Sequence, residues 1–229
     1  MAVLKEEWFG KIAVFTAVIT DFEHLGTQLF EDGVDYLYFT DGTSKPVEDK
    51  WQIVTLDKFN HIHPRRVSKF VKHVPHMFPE LQKYKYTIWI DGDMQIIKPN
   101  FVEQIMCFLD EGLLLSPHFD QRHCAYGEAT IRPPKYQTEP MDAQVDYYRQ
   151  RGFPEDWGLY ETGVMARDMT DPIVKELGMR WFIQNMIFSY QDQVSLPFCL
   201  WDMQYQPSVL PTSFRDFNWV TINAHKHEG

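Results

Sequence analysis

The sequence is poor in cysteine and lacks the long apolar runs of membrane proteins. Its three cysteines, Cys107, Cys124 and Cys199, are odd in number and widely spaced, so they indicate neither a zinc site nor a disulfide framework. We therefore expect a reducing, cytoplasmic environment. No apolar run approaches the roughly 18 residues that a membrane span needs, so the sequence predicts no membrane span in this chain.

The sequence also lacks an excess of positive charge. Aspartate and glutamate number 32 against 22 lysines and arginines, which gives a net charge of −10 and a pI of about 5.3. Such a surface repels nucleic-acid phosphates, so we expect no nucleic-acid partner. With 229 residues and 44% apolar content the chain can bury one sizeable core, and residues 1–229 are predicted to form a single domain.

What the sequence does contain is an alternation of strands and helices. Continuous apolar runs in the first hundred residues predict buried strands at 11–19, 35–42, 51–56 and 86–90, with a cation-rich helix at 63–73. Further strands are predicted at 112–117 and 159–167, and further helices at 101–109, 141–152 and 171–190. This order favours an α/β fold with a mainly parallel central sheet over a β sandwich.

Two aspartates flanking one glycine, Asp91-Gly92-Asp93, directly follow the strand at 86–90. Ligands of open α/β sheets bind outside the carboxyl ends of the strands, so this pair is placed to hold a divalent cation and, through it, a phosphate. Oxygen ligands of this kind suit Mg²⁺ or Mn²⁺. An Asp-Gly pair is also a common hairpin turn, and in that interpretation both aspartates face water.

Five motifs occur in order: Arg-Arg-Val-Ser-Lys at 65–69, Pro-His-Met-Phe-Pro at 75–79, the strand with its aspartates at 86–93, Glu-Thr-Gly-Val at 161–164 and Asp-Gln at 192–193. In this set the chain resembles metal-dependent glycosyltransferases of the GT-A fold. It is most similar to a glycosyltransferase-like domain family of plant and bacterial proteins, once catalogued as a domain of unknown function. The order and spacing also resemble the glycogenin and lipopolysaccharide galactosyltransferase family.

The resemblance implies a three-layer α/β/α fold and transfer of a sugar from a nucleotide-diphosphate sugar, with a UDP-sugar favoured, to a hydroxyl of a carbohydrate or lipid-linked acceptor. It implies Mn²⁺ or Mg²⁺ as cofactor, with Asp93 as a direct metal ligand and Asp91 beside the metal and the ribose. A late histidine usually completes such a site, and here His225 is preferred to His227. Each histidine is equally well explained as a solvated tail residue.

The first two predicted strands end where such a family places the nucleoside. Thr16 and Ala17 of the first strand and Asp41 after the second would lie against the base and the ribose. Ordinary cap and turn chemistry explains Thr16 and Asp41 equally well.

The cation-rich helix at 63–73 would clamp the diphosphate. Arg66 and Lys69 lie three residues apart on one helical face, so both would reach one diphosphate, and Arg65 would then point elsewhere. A solvated helix face is the alternative interpretation of this charge run.

The resemblance places sugar contacts in the second half of the chain. Glu161 would accept from sugar hydroxyls, and Asp192 and Gln193 would touch the transferred sugar. Inversion would require Asp192 or Glu161 as general base, whereas in retention the leaving phosphate takes the proton, and the glycogenin-like arrangement favours retention. A helix-end cap before Pro197 is the alternative for Asp192-Gln193. The tail lacks His-x-x-Gly-x-x-Lys, so Lys226 is assigned no role.

Two other functions share some of these features. A sugar nucleotidyltransferase also uses an α/β sheet and metal-binding carboxylates, but it usually needs a glycine-rich phosphate loop, and residues 16–24 contain no glycine. A non-catalytic protein of the same fold would bind a carbohydrate or a nucleotide without turnover. The presence of both Asp91 and Asp93 argues against that alternative.

Overall fold

The computed structural model describes residues 4–20, 25–120 and 122–223, and these form an α/β structure. Seven strands of this part of the chain form one sheet: β1 (Ile12–Val18), β2 (Val34–Thr40), β3 (Trp51–Thr55), β4 (Tyr86–Ile90), β6 (Leu113–Pro117), β7 (Tyr160–Asp168) and β8 (Ser208–Val209). Their order in the sheet is β3-β2-β1-β4-β7-β6-β8. Strand β7 runs antiparallel to both of its neighbours, and the other strand pairs are parallel. A second, two-stranded sheet pairs β5 (Met94–Ile96) with β9 (Val220–Ile222).

Helices cover both faces of the large sheet. They are α1 (Pro64–His73), α2 (Pro79–Gln82), α3 (Phe101–Met106), α4 (Ala125–Glu128), α5 (Met141–Arg151), α6 (Pro172–Ile187) and α7 (Asp192–Asp202). Because side chains alternate along a strand, Phe15 of β1 packs in a core that contains residues of α1, α5, α6 and α7. Its neighbour Val14 packs in a second core that contains residues of α3. This is the three-layer α/β/α arrangement of a GT-A fold, as the sequence predicts.

Helices α1 and α6 pack closely because the facing surface of α6 carries a glycine. A Cβ placed on Gly178 would lie 2.2 Å from the carbonyl oxygen of His73. This contact fixes the end of α1, which carries two residues of the site described below. Asp171 accepts hydrogen bonds from the N–H groups of Ile173 and Val174, and so caps α6 as its sequence indicates.

The alternative interpretation of Asp192-Gln193 as a helix-end cap is not what the structure shows, because no side chain makes a capping hydrogen bond at the start of α7. Asp192 is the first residue of α7, and the helix continues through Pro197 to Asp202. A proline inside a helix removes one backbone hydrogen bond, and packing offsets that loss here because residues 194–200 of α7 are all buried.

The two aspartates occupy the edge of the sheet that the sequence predicts. Strand β4 ends at Ile90, and the N–H of Met94 donates to the carbonyl of Asp91 across a turn. Strand β4 pairs with β1 and β7, whereas β5 pairs with β9, so this turn does not connect a two-stranded hairpin. Within the described ranges, no helix combines the length and apolar character needed to cross a membrane.

Candidate functional site

A polar cleft of about 260 Å³ opens at this edge of the sheet, between α1 and the start of α7. Both charge signs meet in it. The charged side chains among its described lining residues are Arg65, Lys69, Lys72, Lys135, Arg215, Asp91, Asp93, Glu161 and Asp192. The sequence motifs around Asp91, Lys69, Glu161 and Asp192 are therefore brought together, although they lie far apart in the chain.

Lys72 connects Asp91, which follows β4, with Asp192 at the start of α7. Its Nζ lies 2.9 Å from Oδ1 of Asp91 and 2.9 Å from Oδ2 of Asp192, and it donates to Oγ1 of Thr162 at 3.2 Å. The Lys72 side chain is only 1% exposed. Burying an ammonium group is costly unless it is paired and hydrogen-bonded, and here three oxygen acceptors satisfy that condition.

Asp192 is the second centre of this network. One carboxylate oxygen binds the ammonium groups of Lys69 and Lys72, and Oδ1 lies 2.9 Å from Nε2 of His73. The His73 ring stacks on Trp181 with its centroid 3.7 Å away. Trp181 therefore holds the imidazole, and the imidazole orients the carboxylate.

Burial and charge set the protonation states of this network. Burial opposes ionisation of Asp192, but Lys69, Lys72 and His73 outweigh it and hold the pKa of Asp192 well below its usual range. Burial lowers the pKa of His73 to about 3, so the ring is neutral and Nε2–H donates to Asp192. Burial lowers the pKa of Lys69, whereas in Lys72 attraction to Asp192 and Asp91 overcomes burial and raises the pKa.

Asp91 is held ionised at the end of β4. Its Oδ1 accepts from the indole N–H of Trp89 at 2.7 Å and from Lys72. Burial would raise the pKa of Asp91, but Lys72 and Lys69 outweigh burial and lower it. Gly163 leaves space at the other oxygen, because a Cβ there would lie 3.3 Å from Oδ2 of Asp91 and 2.3 Å from the Met94 methyl carbon.

Asp93 lies deeper, at 9% exposure, and also lines the cleft. Its carbonyl oxygen accepts from the N–H of Asn223 at 2.7 Å, just after β9. Two carboxylates in one cleft fit Mg²⁺ or Mn²⁺ by their chemistry. In the part of the chain that the structure describes, no group of three His, Cys, Asp or Glu residues is arranged to hold a metal. The predicted third ligand, His225, lies outside the described residues, as does His227.

Glu161 lines the cleft on the side of β7. Its two oxygens accept from the hydroxyl of Ser213 at 2.5 Å and from Nε of Arg215 at 2.6 Å. The Arg215 guanidinium in turn lies over the rings of Phe119 and Phe214, 4.4 and 5.5 Å from their centroids. Glu161 is 3% exposed, so this carboxylate is fixed rather than freely solvated.

The predicted pairing of Arg66 with Lys69 in the cleft is not what the structure shows. Arg65 lines the cleft beside Lys69, whereas Arg66 faces α6 and donates to the carbonyls of Asn185 and Phe188. Arg66 also forms an ion pair with Glu139. A helix turns about 100° per residue, so positions 65, 69 and 72 share one face and position 66 lies on the next.

The predicted nucleoside contacts lie beside the cleft rather than within its described lining. Thr16 is fully buried, and the carbonyl of Ala17 accepts from the Ser68 hydroxyl of α1 at 3.4 Å. Asp41 lines a separate pocket of about 150 Å³ with Thr20. There it accepts from the Thr20 N–H at 3.0 Å and from the Thr43 hydroxyl at 2.6 Å.

Gln193 lines the cleft next to Asp192. Its Oε1 lies 3.3 Å from Nε2 of Gln191, which also donates to Glu128 at 2.8 Å. Because the oxygen of the Gln193 amide accepts this bond, the amide NH₂ group remains to donate to a ligand.

Sequence reasoning missed Lys72, His73 and Thr162. Lys72 follows Lys69 by three residues, so helical spacing alone places it on the same face of α1. His73 could not be found in this way, because its partner Asp192 is 119 residues away in the chain. Thr162 is adjacent to Glu161, and only the register of β7 shows that its hydroxyl points to Lys72.

The chain is similar in sequence to glycosyltransferase-like proteins. The glycosyltransferase-like domain of TOD1/MUCI70 matches residues 40–227, a range that includes every motif quoted above. The probable hexosyltransferase MUCI70 of Arabidopsis thaliana is 26% identical over 157 residues, which cover 63% of this chain and 26% of that relative. The chain thus matches about a quarter of the relative's length. These findings confirm the glycosyltransferase-like family that the sequence motifs predict.

Proposed function

Given that this chain belongs to the TOD1/MUCI70 glycosyltransferase-like domain family, we propose that it transfers a sugar from a nucleotide-diphosphate sugar to an acceptor hydroxyl. A UDP-sugar is the favoured donor, and a carbohydrate or a lipid-linked glycan is the favoured acceptor. The observation that carries this proposal is the buried Lys72, held between Asp91 at the strand end and Asp192 in one cleft.

The cations of the cleft are assigned to the diphosphate. Negative charge grows on the leaving diphosphate as the bond to the sugar breaks, and fixed positive groups lower the energy of that state. Lys69 and Lys72 are held rigidly by Asp192, and Arg65 and Lys135 line the same cleft. We assign Arg65, in place of Arg66, to this role.

We assign Asp91 and Asp93 to a Mn²⁺ or Mg²⁺ ion. Their carboxylates suit these metals, and the gap left by Gly163 keeps Oδ2 of Asp91 open to the cleft. His225 is assigned as third ligand, because it follows by two residues Asn223, whose N–H is bonded to the Asp93 carbonyl. The ion would add positive charge beside the diphosphate.

The nucleoside is assigned to the pocket beside Asp41. Burial would raise the pKa of Asp41, but hydrogen bonds from Thr43 and Thr20 outweigh it and lower the pKa, so the carboxylate is an ionised acceptor suited to a ribose hydroxyl. Helix α1 contributes to both sites, with Val67 lining this pocket and Lys69 lining the cleft. Thr16 and Ala17 would support the pocket from β1.

We favour transfer with retention of configuration. An acceptor oxygen forms the new bond to the anomeric carbon, the bond to the diphosphate oxygen breaks with its electron pair, and the acceptor proton passes to a diphosphate oxygen. Asp192 is a weak base because its cations hold its pKa well below the usual range. Asp192 with Gln193 would position the transferred sugar, and Glu161 would accept from acceptor hydroxyls. Proton NMR of the product's anomeric centre tests this, and an inverted product overturns it.

A turnover assay tests the proposed activity. The protein is incubated with UDP- and GDP-hexoses, Mn²⁺ and a panel of oligosaccharide acceptors, and nucleoside diphosphate release is measured. Asp93→Ala should lower turnover by about 100-fold or more, because a metal ligand is lost. Asp146→Ala, which removes an exposed carboxylate of α5, is the matched control and should leave turnover unchanged. No release with any donor, or full activity of Asp93→Ala, would contradict the proposal.

A further inference from the structure

A second groove lies at the opposite end of α7 from Asp192. It is lined by Trp157, Trp201, Asp202, Gln204 and Gln206, and it encloses about 420 Å³. None of these residues lines the charged cleft. From Asp192 to Trp201 the helix advances nine residues, which is about 14 Å.

Both tryptophans of this groove rest on the same buried ring. The Phe153 centroid lies 6.2 Å from that of Trp157 and 5.5 Å from that of Trp201, and Phe153 is only 5% exposed. Phe198 of α7 supports Trp201 from a centroid distance of 5.9 Å. Each indole is partly exposed, so a rigid aromatic surface faces the groove.

The polar groups of the groove are fixed at one end and available at the other. Asp202 binds Arg151 through Oδ1 at 3.0 Å and Arg180 through Oδ2 at 3.1 Å. Gln204 and Gln206 are exposed, and neither amide makes a hydrogen bond to another described side chain or backbone group. The backbone of Gln204 has a φ of +52°, and its N–H donates to the Trp201 carbonyl at 3.0 Å. This hydrogen bond fixes the position of the Gln204 backbone at the edge of the groove.

This combination of groups matches the surface of a sugar. A pyranose ring has a C–H face that packs on an indole, and its hydroxyls both donate and accept, as a glutamine amide does. Among the described residues, the lining of the groove contains no cation, in contrast to that of the cleft, and the two arginines beside the groove are already paired with Asp202. Asp202 is paired with Arg151 and Arg180, and Arg180 is also paired with Glu176, so the charges beside the groove balance and favour a neutral ligand.

We propose that the groove formed by Trp157, Trp201, Asp202, Gln204 and Gln206 is a second saccharide site that binds a neutral oligosaccharide independently of the nucleotide. The indoles stack on the sugar rings, and the two glutamine amides bond the hydroxyls. This site needs no metal. A glycan held there lies at the far end of α7, away from the proposed transfer chemistry.

Indole N–H signals in a ¹H–¹⁵N spectrum test the proposal on the intact chain. The chain has seven tryptophans, and Trp157→Phe and Trp201→Phe each remove one signal and so assign it. The probes are hexasaccharides of glucose, xylose, mannose and galactose, with a hexagalacturonide as acidic comparison. At least one neutral probe should shift the Trp157 and Trp201 signals at millimolar concentration. UDP with Mn²⁺ should instead shift Trp89, whose indole N–H bonds Asp91 in the cleft.

Affinity measured on variants gives the second readout. Gln204→Ala combined with Gln206→Ala should lower the affinity for the neutral probe by about tenfold, since two hydrogen bonds are lost. Gln150→Ala, an exposed glutamine of α5 outside the groove, should change nothing. The proposal is overturned if no neutral probe shifts both signals, if the double variant binds as well as the parent chain, or if the hexagalacturonide binds more tightly. Failure of UDP to shift Trp89 would count only against the transferase site.

Discussion

The two ends of α7 carry the same arrangement in two different environments. At the start, Asp192 is paired with Lys69 and Lys72, whose side chains are 19% and 1% exposed. At the end, Asp202 is paired with Arg151 and Arg180, whose side chains are 52% and 45% exposed. One carboxylate thus binds two cations at each end, but only the first group is removed from water.

This difference separates a functional use of charge from a solvated one. Two exposed cations around Asp202 are screened by water and contribute little. Burying the charges around Asp192 carries a desolvation penalty that offsets their mutual attraction, so stability alone does not explain them. A cleft that must stabilise a diphosphate does explain them, because fixed charges act most strongly where water is excluded.

The same substitution at the two ends should give the largest contrast. Asp192→Asn leaves the buried Lys72 and the partly buried Lys69 without their shared carboxylate and should lower the free energy of unfolding by about 3–5 kcal/mol. Asp202→Asn should lower it by less than about 1 kcal/mol, because its arginines stay solvated. Urea unfolding of both variants measures the difference. Equal losses would show that the buried network is not electrostatically distinct.

Two neighbouring arginines of α1, Arg65 and Arg66, offer a second test of the difference between binding and structural charges. Arg65→Ala should weaken UDP binding by about tenfold with little loss of stability, because Arg65 lines the cleft. Arg66→Ala should lower the free energy of unfolding by about 1.5–3 kcal/mol and leave UDP affinity unchanged, because its partners are Glu139 and two carbonyls facing α6. Calorimetric UDP titration and urea unfolding check both variants. If Arg66→Ala weakened UDP binding and Arg65→Ala did not, Arg66 rather than Arg65 would bind the diphosphate.

The smallest expected effect is a pH dependence of the free energy of unfolding, which comes from the buried network at the start of α7 and not from Asp202 at its end. The folded-state pKa of His73 is about 3 against 6.5 for a free histidine, so the unfolded chain binds more protons between these values. The contribution of neutral His73 to the free energy of unfolding is therefore fully present above pH 6.5. It decreases as the pH falls, by at most about 1.4 kcal/mol per pH unit. Lys69, Lys72 and Asp192 face His73 and set this shift. His73→Gln, unfolded in urea at pH 7, 6 and 5, should show a shallower slope than the parent chain, and an equal slope contradicts the assignment.

The fold and the position of the aspartates could be predicted because the signals are local. A continuous apolar strand that ends on Asp91 shows both the sheet and its ligand-binding edge without any tertiary information. The strands and helices that the sequence predicts accordingly lie within a few residues of their predicted bounds, as β1 and α5 illustrate, whereas α7, β8 and β9 are not predicted.

The rest of the site depended on contacts between distant segments. A proline such as Pro197 indicates the end of a helix, and only the burial of α7 around it explains why this helix continues. The choice between Arg65 and Arg66 depends on where α6 packs, which the sequence of α1 does not contain. The groove at Trp157 and Trp201 combines a loop with a helix end, so neither residue stands out by its spacing.

Calorimetric titration of UDP, GDP and their sugar conjugates, each with and without Mn²⁺, measures whether the cleft between Asp91 and Asp192 binds a nucleotide in a metal-dependent way. We expect that one nucleotide, with UDP favoured, binds when Mn²⁺ is present, and that its affinity falls by about 100-fold when Asp93 is replaced by alanine. Absence of binding for every nucleotide in the presence of Mn²⁺ would contradict a donor site between Asp91 and Asp192, and would leave a purely carbohydrate-binding protein of this fold.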